Sequence, residues 1–236
     1  LFPYHTAGAV YYRSWPIGET EEVLAARWKR LSESSAPDRK KLFKESRDRK
    51  ITHIARDADL PGYSEAPIRD LKAASPQPKS VRYGYRSYDR HYAFYDVRVG
   101  DYIRPTLGSI ASEKQTFLIC PDTLVCGHGQ ICAVSPAIPD QHSFRGSFGG
   151  KDVIPLYRDA AGNEPNVTAG LLDALGKEYG ATPSPEDLAA YAYALLGGQS
   201  YTRRFWNELE TPSPRVPMTK DGATFAEAAN LGRKLI

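Results

Sequence analysis

The feature that most restricts the fold is a change of period at Val81. From Val81 to Pro105 (VRYGYRSYDRHYAFYDVRVGDYIRP) the pattern repeats every second residue. Val81, Tyr83 and Tyr85 fall on one face of an extended chain, with Arg82 and Arg86 on the other. The phase slips at RSYD, after which Tyr92 and Phe94 share a face and Ala93 and Tyr95 take the other. A turn or bulge near Ser87 to Asp89 accounts for the slip. Helical periods appear only towards the two ends of the chain, so strands belong in its middle and helices at its ends.

Before the strands, Thr20 is placed to cap a helix whose first turn carries Glu21 and Glu22 and whose buried stripe is Leu24, Trp28 and Leu31. SESSAP stops it. A second helix starts near Pro37, anchored by Leu42 and Phe43, with Arg39, Lys40, Lys41, Lys44 and Arg47 covering the rest. Ile51 to Ser80 is punctuated by Pro61, Gly62, Pro67, Pro76 and Pro78, and PQPK reads as an extended linker at an internal boundary. After the hairpin, Gln115 to Cys120, Leu124 to Cys126 and Gln130 to Val134 form further short β-rich segments.

The last third is helical. Leu171, Leu172 and Leu175 mark a helix within Val167 to Tyr179. Ser184, Pro185, Glu186 and Asp187 open another, in which Leu188, Tyr191, Ala192, Leu195 and Leu196 follow helical spacing up to Gly197 and Gly198. Ser200 restarts a helix with Tyr201, Phe205 and Leu209 inward, and a final one runs from about Ala223 with Phe225, Ala229, Gly232 and Ile236 on one stripe. The expected class is α+β. A mostly antiparallel, twisted sheet of about four to six short strands is flanked by an N-terminal helical hairpin and a C-terminal helical subdomain, dividing the chain at 1–80, 81–160 and 161–236.

Composition narrows the function classes. Apolar residues make up 41% and charged residues 25%, enough for a proper core, and no run is long enough to span a membrane, so a cytoplasmic location is expected. The chain opens at Leu1 rather than Met and reads as a piece of a longer or processed protein. Net charge is only +3, but Arg27 to Lys50 holds ten Lys/Arg against four Asp/Glu. That asymmetry fits either an anionic partner or a solvated helix face. Cys120, Cys126 and Cys132, with His128 between the last two, are evenly spaced and contain no CxxC pair. They read as small buried residues rather than a disulfide framework or a metal site.

No GxSxG elbow, HExxH pair or Rossmann-type glycine fingerprint is present. Acidic residues sit beside Lys or Arg, as in surface pairs. What stands out instead is seven aromatics and five arginines within Val81 to Pro105. Such a surface grips a polyanion that carries flat bases. Further on, Ser135 to Arg158 holds Gly146, Gly149 and Gly150 among His142, Arg145, Ser147 and Lys151, with Phe144 and Phe148 as anchors. This is either a glycine-rich connection or a nucleic-acid contact loop, and it lacks the ending of a nucleotide P-loop.

YGYRSYDRHYAFYDVRVGDYIRP resembles the block that opens the C-terminal specificity region of Type ISP restriction–modification enzymes, and IPDQHSFRGSFGGKDVIPLYRDA is similar to that family's loop ending in Pro-Leu-Tyr-Arg-Asp. The likeness continues through NVTAGLLDAL, SPEDLAAYAYALL, SYTRRFWNEL and PRVPMTKDGATFAEAANLGRKL, and LFPYHTAGAVYYR resembles the junction after the family's methyltransferase core. The resemblance implies a target recognition domain that directs an adjoining adenine N6-methyltransferase of the same polypeptide, in a phage-defence enzyme that also carries a nuclease and a helicase-like motor. It implies double-stranded DNA as partner, S-adenosylmethionine for the parent, and ATP and Mg for a parent with those further domains. No cofactor is expected in this stretch, which lacks the family's Asn/Asp-Pro-Pro-Tyr motif and its cofactor-binding glycines.

The residues proposed to touch DNA are Arg82, Tyr85, Arg86, Tyr88, Arg90, Arg104, His142, Arg145, Ser147 and Lys151. Arginine reads guanine edges, and Lys or Arg on phosphates fixes register. Each arginine could instead pair with Asp89, Asp96 or Asp101, and each tyrosine could sit in the core. Two other functions remain open on the residues alone. One is a protein–protein docking module using the same Tyr/Arg surface. The other is an independent enzyme, for which no catalytic set is visible.

Overall fold

The computed structural model describes residues 1–86, 89–121, 131–144, 152–209 and 215–236. The period-two stretch folds as the antiparallel pair β2 (Ser80–Arg86) and β3 (Asp89–Phe94). Arg82 lies opposite Tyr92 and Tyr83 opposite His91, and pairing resumes at Arg86 and Asp89 one residue out of register. A register shift thus lies inside β2, between Tyr83 and Arg86; Ser87 and Tyr88, in the stretch expected to hold the turn or bulge, lie outside the described residues. β1 (Ile17–Gly18) adds antiparallel to β3. β6 (Ile138–Pro139) adds parallel to β2, completing the order β1-β3-β2-β6.

The single expected sheet is two sheets. β4 (Phe117–Cys120), β5 (Ala133–Ser135) and β7 (Asp152–Pro155) form a separate antiparallel sheet in the order β5-β4-β7. Alternation shows why both are needed. Phe117 and Ile119 of β4 point into a core shared with Tyr83, Ala93 and Ile138 of the first sheet, while Leu118 and Cys120 face Ala189, Tyr193 and Leu196 of α5 (Pro185–Gly197). All four β4 residues are buried, as for a strand covered on both faces. Leu107 and Ile110 of α3 (Pro105–Ile110), a short helix that periodicity had not marked, also join the shared core.

The outer layers are helical. α1 (Glu21–Glu33) and α2 (Ala36–Phe43) pack Leu24, Trp28, Leu31 and Phe43 on Phe94, on the other face of the first sheet, and Ile51, Ile68 and Leu71 join them. Thr20 caps α1 and Ser35 caps α2. Arg39, expected on the basic outer side of α2, is buried. Its Nε donates to Leu31 O (3.1 Å), Nη2 to Ser32 O (3.0 Å) and Ser34 O (2.9 Å), and Nη1 to Arg69 O (2.8 Å). The carbonyls at the end of a helix lack partners within it, and a guanidinium with five donors supplies them.

On the far side lie α4 (Leu171–Tyr179), α5, α6 (Gln199–Arg204), α7 (Trp206–Leu209) and α8 (Gly222–Leu235). Ser184 and Asp187 form a capping box at the start of α5. α8 crosses α5 so closely that a Cβ on Gly232 would lie 1.9 Å from Ala190 O. Phe225, Ala229 and Gly232 are buried as expected, whereas Ile236 is exposed. Cys120 and Cys132 are buried, and Cys126 and His128 lie outside the described residues. No helix among the described residues is long and apolar enough to cross a membrane.

Candidate nucleic-acid interface

The parallel pairing of β2 with β6 creates the site. Past β6 the chain is held on both sides: Asp140 N donates to Gly84 O (2.9 Å) of β2, and Gln141 N donates to Ala9 O (2.8 Å) of the N-terminal segment. A Cβ on Gly8 would lie 2.6 Å from Gln141 N, so this approach requires glycine. The strip places Asp140 beneath the outer end of β2. Its carboxylate is buried, and a buried carboxylate must find donors.

Three side chains supply them. Tyr83 donates its hydroxyl to Oδ2, His142 brings Nδ1 to 3.2 Å from Oδ1, and Arg86 Nη1 lies 3.5 Å from the same oxygen. The His142 backbone N–H also donates to Oδ1. Burial, and next the Asp140 charge, push the Tyr83 phenol well above the usual tyrosine range, so it stays a donor. Arg86 is further fixed by stacking over Tyr85, 4.0 Å from the ring centroid, with Nη1 donating to Tyr85 O at 2.6 Å.

Arg104 joins the same edge. It has a positive φ of 52° at the start of α3. Its Nε donates to Gly8 O (3.1 Å), its Nη2 to Gln141 Oε1 (3.4 Å), and it stacks over Tyr102 at 5.6 Å. Arg86, His142 and Arg104 are thus brought together on the 138–142 strip, although 56 positions separate Arg86 from His142. Tyr85 is half-buried and serves as a platform rather than a free contact. Arg82 is exposed but faces the helical hairpin side, 5.5 Å over Tyr92, and stands apart. Arg90 is exposed at the start of β3. Tyr88, Arg145, Ser147 and Lys151 lie outside the described residues.

The anticipated pairing of arginines with nearby acids holds for other residues than those proposed. Asp96 pairs with Arg98, and Asp101 with Arg13, all four buried; these are interior pairs, while Arg47 with Asp48 and Arg69 with Asp70 make the expected kind of surface pair. Two exposed aromatics were missed. Tyr12 has its ring 6.4 Å from that of His142 and its backbone N–H on Asp101 (3.1 Å). Tyr102 lies beside Arg104 and Arg47. The signal for Tyr12 was in AVYYR, where Tyr11 turns inward to donate to Phe94 O and its neighbour must turn out. Together Arg86, His142, Tyr12, Arg104 and Tyr102 make a surface of alternating rings and cations, able to hydrogen-bond base edges and to pair with phosphates. Among the described residues no group of three His, Cys, Asp or Glu side chains could hold a metal ion.

Solved structures that share this fold include three DNA complexes. A cryo-EM structure of a DrdV–DNA complex matches with a TM-score of 0.64 and 21% identity, over 99% of this chain and 23% of that one. The ATP-dependent Type ISP restriction–modification enzyme LlaBIII bound to DNA matches with a TM-score of 0.63 and 17% identity, over 99% and 15%. A nuclease-deletion mutant of the Type ISP enzyme LlaGI, in complex with a DNA substrate mimic, matches with a TM-score of 0.56 and 17% identity, over 99% and 18%. The chain spans less than a quarter of each of these proteins. Among curated proteins there is no match. Residues 1–236 match the Type ISP C-terminal specificity domain from end to end, and the chain belongs to that family.

Proposed function

We propose that this domain recognises a specific double-stranded DNA sequence and so directs an adenine N6-methyltransferase domain of the same polypeptide, in a restriction–modification enzyme of phage defence. The observation that carries this reading is the gathering of Arg86, His142 and Arg104 on one exposed edge of a specificity-family fold. The three relatives are DNA complexes, which supports the same partner here. Phosphate contacts from Arg104 and other cations set the register, and Arg86 and His142 read base edges. S-adenosylmethionine belongs to the methyltransferase, and ATP and Mg to any motor and nuclease domains of the parent. The target adenine is turned out of the helix there, not here.

The test is DNA binding by the full-length parent over a salt series. Removing the guanidinium groups of Arg86 and Arg104 and the imidazole of His142 should abolish preference for the target duplex. Loss of a phosphate contact such as Arg104 should lower the slope of log K against log salt by about 1. Unchanged target binding after all three substitutions would refute the assignment of this edge.

A further inference from the structure

We propose that Asp140 is the positioning residue that makes Arg86 and His142 a single reading unit for a guanine edge with an adjacent amino donor; this rests on the DNA-reading function above. Asp140 itself cannot meet the ligand, because its side chain is only 3% exposed whereas those of Arg86 and His142 are 45% and 29% exposed. Its two oxygens divide the work. Oδ2 takes the Tyr83 hydroxyl from the core, and Oδ1 gathers Arg86 Nη1, His142 Nδ1 and the His142 backbone N–H. The backbone on either side is held to β2 and to the N-terminal segment, so the carboxylate is a fixed point.

The consequence for each outer group is chemical. Arg86 Nη1 is occupied by Tyr85 O and Asp140, while among the described residues Nε and Nη2 carry no hydrogen bond. Those two donors form the fork that fits guanine O6 and N7. Stacking on Tyr85 holds the plane of the fork. His142 turns Nδ1 to a carboxylate, so the neutral ring carries its proton there and Nε2 is an acceptor. An acceptor suits the exocyclic amino group of cytosine or adenine beside the guanine. Without Asp140 the fork would lose its fixed rotamer and the imidazole its tautomer, as when the group orienting a histidine is removed elsewhere.

Four variants of the full-length parent test this, each presented with a pool of randomised duplexes sequenced before and after selection, with thermal unfolding measured in parallel. R86A should erase guanine preference at one position, and H142A should relax the neighbouring one. D140N, which keeps shape and an acceptor oxygen, should reduce the same guanine preference by about tenfold. Its binding to the unselected pool, which rests on phosphates, should stay within about twofold. Y83F removes the inward hydrogen bond that holds Oδ2; it should lower the melting temperature and weaken the same guanine preference, by less than D140N does. If R86A changes the selected sequence and D140N does not, the positioning role is overturned while the DNA-reading edge stands. If neither R86A nor H142A changes it, the reading edge falls and the positioning role with it.

Discussion

Arg98 closes on Asp96, two residues before it, with both side chains almost fully buried. Nη2 lies 2.6 Å from Oδ2, and Nε lies 3.0 Å from each carboxylate oxygen. Asp96 also accepts from the Arg98 backbone N–H (2.7 Å), and Arg98 Nη1 donates to Ala66 O (2.6 Å). This local knot ties the turn after β3 to the segment that precedes β2. Gly62, at a φ of 92°, makes room for it, since a Cβ there would lie 2.4 Å from Asp96 Oδ1.

Removing one member of that pair strands a buried charge. R98A is expected to cost about 3–5 kcal/mol, more than the net contribution of the intact pair. The double substitution D96A/R98A should cost clearly less than the sum of the two single ones. Urea unfolding of the three variants measures both quantities.

Arg39 is expected to behave as a cap rather than as a surface cation. It serves four carbonyls at the end of α1 and beyond, so R39A should destabilise the domain by about 2–3 kcal/mol. The neighbouring exposed K40A and K41A should stay within about 0.5 kcal/mol of the parent domain. R39K, which keeps the charge but loses the planar fork, should recover little of the loss. Thermal unfolding separates these outcomes.

The crossing of α5 and α8 depends on a missing methyl group. G232A would place Cβ against Ala190 O and force the helices apart, at an expected cost of about 1–3 kcal/mol despite the better helix propensity of alanine. Gly180 is a contrasting position: it meets nothing within 4 Å, but its φ of 78° penalises any side chain on conformational grounds. Paired melting curves for G232A and G180A test both statements.

His53 makes stability depend on pH. Burial first, then the positive charges of Arg49 and Arg56, hold its pKa below the ordinary histidine value. As pH falls through about 6.5, the unfolded chain takes up a proton that the folded chain resists. Stability from this residue is therefore present at neutral pH and is lost on acidification. H53Q should lose less stability than the parent domain between about pH 7 and 5, as read from denaturation midpoints at each pH.

Much of this fold is legible in the residues themselves. Thr20 and Ser184 start helices, Tyr83 and Ala93 point into the core of a hairpin, and Phe225 and Ala229 form a buried stripe. These features follow from local periods and caps, which involve side chains only a few positions apart. The Tyr/Arg-dense stretch from Val81 to Pro105 supplies Arg86, Arg104 and Tyr102 of the candidate site, and the family blocks pointed to the same specificity domain that the whole-chain match establishes. What the tertiary structure alone decided is which charges face outward. Arg39, Arg98 and Arg13 read as cations like any other, yet each is drawn inside by carbonyls or a carboxylate that the chain delivers from elsewhere. Asp140 meets Arg86 and His142 only because β6 lies parallel to β2 and the Gly8 segment passes beside both, bringing positions 8, 86, 104 and 142 to one edge. Such a meeting depends on strand pairing across more than fifty residues, and no local period encodes which strands will pair.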